Sequence, residues 1–135
     1  MVGTRDEPFT VDIDVRYNDV DLLGHVNNAV YVSYLEEARV EYLPEVLGDT
    51  DALDGVIANL EIDYHRPITL EDDVHVEIAI TEVGTKSVLF EYEVVASGDV
   101  AATASTVQVA YDVETEESRE IPESWRERVR SFENL

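Results

Sequence analysis

One stretch with helical periodicity is set among segments that alternate with period two, and this limits the fold more than any other feature. Tyr31, Tyr34, Leu35, Ala38 and Tyr42 form one apolar stripe, and Val32, Val40 and Leu43 begin a second. Such a helix is covered on more than one side, so the remaining elements must enclose it. Asn27 or Asn28 can cap it by accepting a first-turn N–H, which puts its start near Asn28, and Pro44 and Gly48 should end it. Ahead of it, Phe9, Val11, Ile13, Val15 and Tyr17 alternate with polar residues as a half-buried strand. Four more strands follow a polar turn over Asp49–Gly55. They centre on Ala58–Tyr64, Val74–Ile80, Val88–Val94 and Ala101–Asp112, with hairpin turns at Gly84-Thr85-Lys86 and Ser97-Gly98-Asp99. The four are expected to be antiparallel neighbours.

The last of these strands opens with Ala101, Ala102, Ala104, Ser105 and Thr106, small enough for another element to approach closely, so the long helix is expected over it. After an acidic turn (Glu114–Ser118), Pro122 precedes Trp125, Val129 and Phe132 at helical spacing, a short C-terminal helix that should dock on the body. The class is α+β in a single domain, residues 1–135: a five-stranded antiparallel sheet, one long helix and one short one. One helix cannot cover both faces of such a sheet, so self-association is expected.

Charge narrows the functional classes. With 31 acidic and 9 basic residues the chain carries −22, yet its apolar content and patterning are those of a folded protein. A spread acidic excess suits a protein kept soluble in concentrated salt, and a halophilic cytoplasm is the expected setting. The same charge repels phosphate backbones, so nucleic acid is not expected as a partner. There is no apolar stretch long enough for a membrane helix and no cysteine for a disulfide or a thiolate site. His65 and His75 lack metal-ligand spacing, so neither metal nor cofactor is expected.

The loop from Asn18 to Val26 is rich in turn formers: Asn18, Asp19, Asp21 and Gly24. Asp19 reads as a turn or capping residue, Glu36 and Arg39 as an i,i+3 pair, and Tyr31 and Tyr34 as core.

This loop and helix, YNDVDLLGHVNNAVYVSYLEEAR, followed by IDYHRPITLEDDVHVE, resemble the hotdog-fold acyl thioesterases, both the 4-hydroxybenzoyl-CoA thioesterase class and the plant acyl-carrier-protein thioesterases. The specific part is D-x-D-x-x-G-H-V-N-N-x-x-Y, with E-x-A-R on the same helix. The resemblance implies a sheet wrapped around one central helix, a homodimer or homotetramer, and active sites at the subunit interface that hydrolyse an acyl-CoA or acyl-carrier-protein thioester. By the same resemblance Asp21 matches the catalytic carboxylate. Gly24 matches a glycine that lets the thioester approach the backbone, His25 the histidine of the plant enzymes, and Asn28 the helix-start position whose N–H meets the carbonyl. Leu23 stands where the plant enzymes have asparagine.

The chemistry of the residues agrees. Hydrolysis needs a carboxylate, as general base or nucleophile, and donors aimed where negative charge develops on the carbonyl oxygen. A loop aspartate just before a helix N-terminus supplies both. Asn27 and Tyr31 are further candidates for substrate contact, and Arg66 and Lys86, then Arg126, Arg128 and Arg130, for the phosphates of coenzyme A or a carrier. His25 is placed to hydrogen-bond the carboxylate or the leaving sulfur. Two other classes remain. Hydratases on this fold use Asp-x4-His, whereas Asp21 and Asp19 have three and five residues between them and His25. The other is a non-catalytic acyl-CoA-binding module.

Overall fold

The computed structural model describes residues 2–48 and 55–135, so the turn expected over Asp49–Gly55 lies, Gly55 apart, outside the described residues. Strands β1 (Phe9–Ile13), β2 (Gly55–Tyr64), β3 (Val74–Val83), β4 (Ser87–Ala96) and β5 (Asp99–Asp112) form an antiparallel sheet in the order β1-β3-β4-β5-β2. The acidic turn expected over Glu114–Ser118 forms, and its last two residues, β6 (Glu117–Ser118), fold back to pair antiparallel with the end of β5. The sheet curves around helix α1 (Val30–Leu47), and α2 (Glu123–Glu133) docks beside it. This is the hotdog arrangement.

Two sequence expectations about topology fail. β2 pairs with β5 and not with β3. The turns after β3 and β4 are tight reversals; at the latter Ser97 and Gly98 both have positive φ (48° and 87°), as a two-residue hairpin turn requires. β2 has no such reversal. His65 and Arg66 both donate their N–H groups to the Ala101 carbonyl, and residues 65–73 then cross the end of the sheet to β3. Likewise, the backbone of α1 comes nearest to β3 and β1, not to the small residues of β5.

Register explains that placement. On the helix-facing side the rows run Val11–Val76–Val94–Ala102–Tyr64, then Phe9–Ile78–Tyr92–Ala104–Ile62, then Ile80–Phe90–Thr106–Leu60. Bulk is high on β1, β3 and β4 and falls at β5. The helix seats its buried stripe (Tyr31, Tyr34, Leu35, Ala38, Tyr42) on the bulky strands. On the outer face Glu77 lies opposite Glu93, and Ser105 has Glu91 on one side and Glu61 on the other.

Helix α1 also differs in detail. Its second apolar stripe is only partly enclosed: Val32 and Leu43 are half-buried, whereas Val40 is 66% exposed, beside Glu36, Glu37, Glu41 and Glu45. Pro44 lies inside the helix, which runs on to a Gly48 cap. The carbonyl that loses a donor to this proline is that of Val40, an exposed residue. Beyond Ile13 the first strand leaves the sheet because its partner begins at Val74, and Tyr17 is 82% exposed. At the other end, β3 outruns β1. There the Ile80 N–H donates to the Tyr42 hydroxyl (3.0 Å), which donates to the fully buried Glu133 carboxylate of α2 (3.0 Å).

Candidate active site

The loop before α1 is a small hairpin locked at several points. Asn27 N–H donates to the Asp19 carbonyl (2.9 Å), Val20 bridges Val26, and Asp21 N–H donates to the His25 carbonyl (2.8 Å). Gly24 closes the turn with φ +80°, the left-handed conformation that an aspartate-to-glycine turn of this kind uses. Asp19 anchors the hairpin underneath. Only 3% exposed, it accepts the Tyr34 hydroxyl (2.9 Å), the Arg16 N–H (2.9 Å) and the Arg16 guanidinium (3.2 Å). Burial pushes its pKa up, but these hydrogen bonds outweigh burial and hold the carboxyl below the usual range. Burial and the Asp19 charge together push the Tyr34 phenol well above its ordinary pKa, so it stays a donor.

Asp21 is exposed at the hairpin tip. Its Oδ1 accepts the N–H of Leu23 (2.9 Å) and of His25 (3.3 Å), while Oδ2 meets no partner among the described residues. The carboxylate is therefore oriented through one oxygen and open through the other. His25 is half-buried, and its ring lies beyond ion-pair distance of Asp21; it is the backbone N–H of His25 that bonds the carboxylate. The expected ring-to-carboxylate bond does not form in the single chain, because the His25 backbone is paired with Thr69 of the 65–73 segment.

The helix start lies two residues later than expected. Asn27 does not cap the first turn of α1; its Oδ1 takes the N–H of Ala29 (2.9 Å) and its carbonyl the N–H of Val30 (2.9 Å). Asn28 sits on this turn, its carbonyl accepting the Tyr64 hydroxyl (2.8 Å), and no acceptor meets its N–H among the described residues. Tyr31, expected to touch substrate, is 1% exposed and packed edge-on against Tyr64 (4.9 Å between centroids). The accessible aromatic at this point is Tyr64, 44% exposed, which the sequence did not single out.

Arg66 is not free to hold a phosphate. Its guanidinium donates to both Asp72 oxygens (3.2 and 3.1 Å), to the Ala96 and Pro67 carbonyls, and lies 3.5 Å from Asp99. The Arg66 hydrogen bond in turn holds the Asp72 carboxyl far below its usual pKa. Asp72 accepts the Thr69 N–H (2.9 Å), and the neighbouring Ile68 carbonyl accepts the Val26 N–H (2.7 Å). Arg66 thus fixes the segment on which the Asp21 hairpin rests. Lys86 is exposed on the β3–β4 turn beside Ala110. Since β5 rises about 3.3 Å per residue, Lys86 lies some ~26 Å along the sheet from the Tyr64–Ala102 row at the helix start. Arg126, Arg128 and Arg130 are on α2, where Arg126 and Arg128 donate to carbonyls of Gly84 and Leu47. Among the described residues no three His, Asp or Glu side chains gather as a metal site, and no helix is long and apolar enough to cross a membrane.

The chain is similar to several known proteins. The profile of the thioesterase-like superfamily matches residues 15–129. The acyl-CoA thioesterase YbgC of Haemophilus influenzae is 32% identical over 111 residues, 78% of this chain and 81% of that protein. The long-chain acyl-CoA thioesterase FadM of Escherichia coli is 28% identical over 127 residues, 87% of this chain and 93% of its own. Among solved structures, a thioesterase from Thermus thermophilus complexed with coenzyme A and Zn superposes with a TM-score of 0.85 at 40% identity, covering 93% of this chain and 94% of that one.

Proposed function

Because the chain belongs to the thioesterase-like superfamily, we propose that it hydrolyses acyl-CoA thioesters, with Asp21 as the reacting carboxylate and the backbone at the start of α1 as the oxyanion donor. The observation that carries this reading is the half-tethered Asp21, its Oδ2 open, on the hairpin that leads into the unpaired Asn28 N–H. Asp21 removes a proton from water as the water oxygen bonds to the thioester carbon. The oxyanion that forms is held by the Asn28 N–H at the positive end of α1. Its collapse breaks the C–S bond, and the proton on Asp21 goes to the departing thiolate. Direct attack by Asp21 would instead form an acyl anhydride that water then cleaves. Gly24 leaves open space in front of the turn, since a Cβ there would meet nothing within 4 Å. His25, half-buried beside Asp21, is assigned to the leaving sulfur.

The single chain supplies only part of a binding site, and the edge of β2 offers the rest. Val56, Leu60 and Tyr64 on this ten-residue strand are 51%, 37% and 44% exposed, and its outer edge pairs with no strand among the described residues. Long apolar edges of this kind associate. Two copies pairing antiparallel along β2 would bring Lys86 of the partner subunit toward the helix start, giving a homodimer with Lys86 as a phosphate contact. The dimer works in a cytoplasm of high salt.

The test is a panel of acyl-CoA esters and acyl-carrier-protein esters with a thiol-trapping dye, run in concentrated KCl alongside sedimentation. Release of thiol by a dimer supports the reading. Binding without thiol release would assign a binding module, and hydration of an enoyl-CoA a hydratase.

A further inference from the structure

We infer that Tyr64 is a positioning residue for the reaction: its hydroxyl holds the turn at Asn28 so that the oxyanion donor points at the thioester carbonyl. The inference rests on the thioesterase reading and adds a residue to it. Tyr64 closes β2, opposite Ala102, and just beyond it the Ala101 carbonyl takes the N–H groups of His65 and Arg66. Its backbone is thereby fixed to the sheet. The ring stands edge-on to Tyr31 (4.9 Å between centroids), which is 1% exposed in the core. From there the hydroxyl donates to the Asn28 carbonyl (2.8 Å).

Asn28 stands between two peptide groups. The first carries its own N–H, the oxyanion donor, and the Asn27 carbonyl, which accepts the Val30 N–H (2.9 Å). The second carries the Asn28 carbonyl and the Ala29 N–H, which donates to Asn27 Oδ1 (2.9 Å). Both of those bonds begin and end within residues 27–30 and move with the turn, so they do not set its place. Two others reach outside it. The Asn27 N–H, donating to the Asp19 carbonyl (2.9 Å), ties the turn to the Asp21 hairpin, and the Tyr64 hydroxyl ties it to the sheet. Asn27, Asn28 and Ala29 are all exposed, so packing lends the turn little support. Without the Tyr64 bond, these residues would span from hairpin to helix with no hydrogen bond to the sheet among the described residues.

The chemistry asks for such a tie. An oxyanion donor speeds hydrolysis because it is aimed before the charge develops, and a misplacement of ~1 Å costs up to ~10²-fold. Stability asks for much less. Tyr64 is 44% exposed, and an exposed carbonyl that loses its hydroxyl partner takes water instead. Deleting the hydroxyl therefore acts on turnover far more than on the fold. The single proton of that hydroxyl is committed to Asn28, so Tyr64 works through the turn and not as a donor to the substrate.

The experiment compares the wild type with Tyr64→Phe, which keeps the ring against Tyr31, on the acyl-CoA that the wild type hydrolyses best, at constant high salt. Binding of the thioether analogue of that substrate, in which a methylene replaces the carbonyl, is measured alongside Tm and sedimentation. In Tyr64→Phe kcat is expected to fall by about tenfold, while KM and thioether affinity stay within about twofold. Tm should stay within about 2 °C and sedimentation should not change. A kcat within about twofold of the wild type would overturn the inference and leave the thioesterase reading standing. A parallel loss of thioether affinity would make Tyr64 a substrate contact; a Tm lowered in step with kcat, or a change in sedimentation, would make it a brace of the fold or of the interface. Each of these overturns the inference too. Turnover of no ester in the panel by the wild type would remove the thioesterase reading and this inference with it.

Discussion

Asp19 and Asp21 are two residues apart and have opposite environments: one is buried and fully bonded, the other exposed and half-free. The first positions the second. Asp19→Asn keeps one acceptor oxygen but turns an amide NH2 toward donors from Arg16 and Tyr34, so it should destabilise the chain by about 1–3 kcal/mol and lower kcat through a looser hairpin. Urea melts and turnover on one substrate check both effects, and Tyr34→Phe should reproduce them more weakly. Gly24→Ala strains a φ of +80° without any clash, so its cost should be near 1 kcal/mol and confined to the hairpin. Asp21, Gly24 and Asn28 were legible in the sequence because turn chemistry is local. The roles of Tyr64 and Arg66 were not, nor was the bond that Arg39 donates to Tyr92 in place of the expected pair with Glu36. Their partners lie 36, 30 and 53 residues away and are fixed by strand register, for which no adjacent residue gives a signal.

Among the elements, α2 was legible from the spacing of Trp125, Val129 and Phe132, but the way it docks was not. Glu133 is 1% exposed and takes the Tyr42 hydroxyl, standing in at the open edge of β3 where β1 has ended. Burial pushes the Glu133 carboxyl up, against the hydrogen bond from Tyr42 and the Arg5 charge. A raised carboxyl pKa in the folded state gives stability that is complete below the unfolded pKa and lost as pH rises through the folded one. Ionising the buried Glu133 carboxyl therefore works against folding at high pH and not in acid. Glu133→Gln keeps an acceptor for Tyr42 and removes that charge, so it should raise Tm at pH 8 by a few degrees, on the order of 1 kcal/mol. The gain should shrink as pH falls into the ordinary carboxylate range. A Tm difference independent of pH would show that Glu133 does not titrate. The place of β2 was misread for a related reason: its alternation shows that it is a strand, while its partner depends on a nine-residue crossing that Arg66 and Asp72 hold in place.

For the whole molecule, charge and shape act together. Helix, strands and class follow from periodicity, and the seat of the helix follows from bulk: β1, β3 and β4 carry the large residues on which α1 packs, β5 the small ones. A net charge of −22 repels itself across the surface in dilute buffer. Tm should therefore climb as KCl is raised from about 0.1 to 2 M, over which the Debye length falls from ~10 Å to less than 3 Å; a Tm unchanged by salt would dismiss the halophilic setting. All of this architecture converges on one carboxylate beside one helix start. The most direct measurement is the turnover of Asp21→Asn on an acyl-CoA that the wild type hydrolyses, in the same salt and with circular dichroism on the same sample. A native spectrum with turnover lowered by at least ~10²-fold is the predicted result; a native spectrum with more than about a tenth of wild-type turnover would contradict the assignment of Asp21.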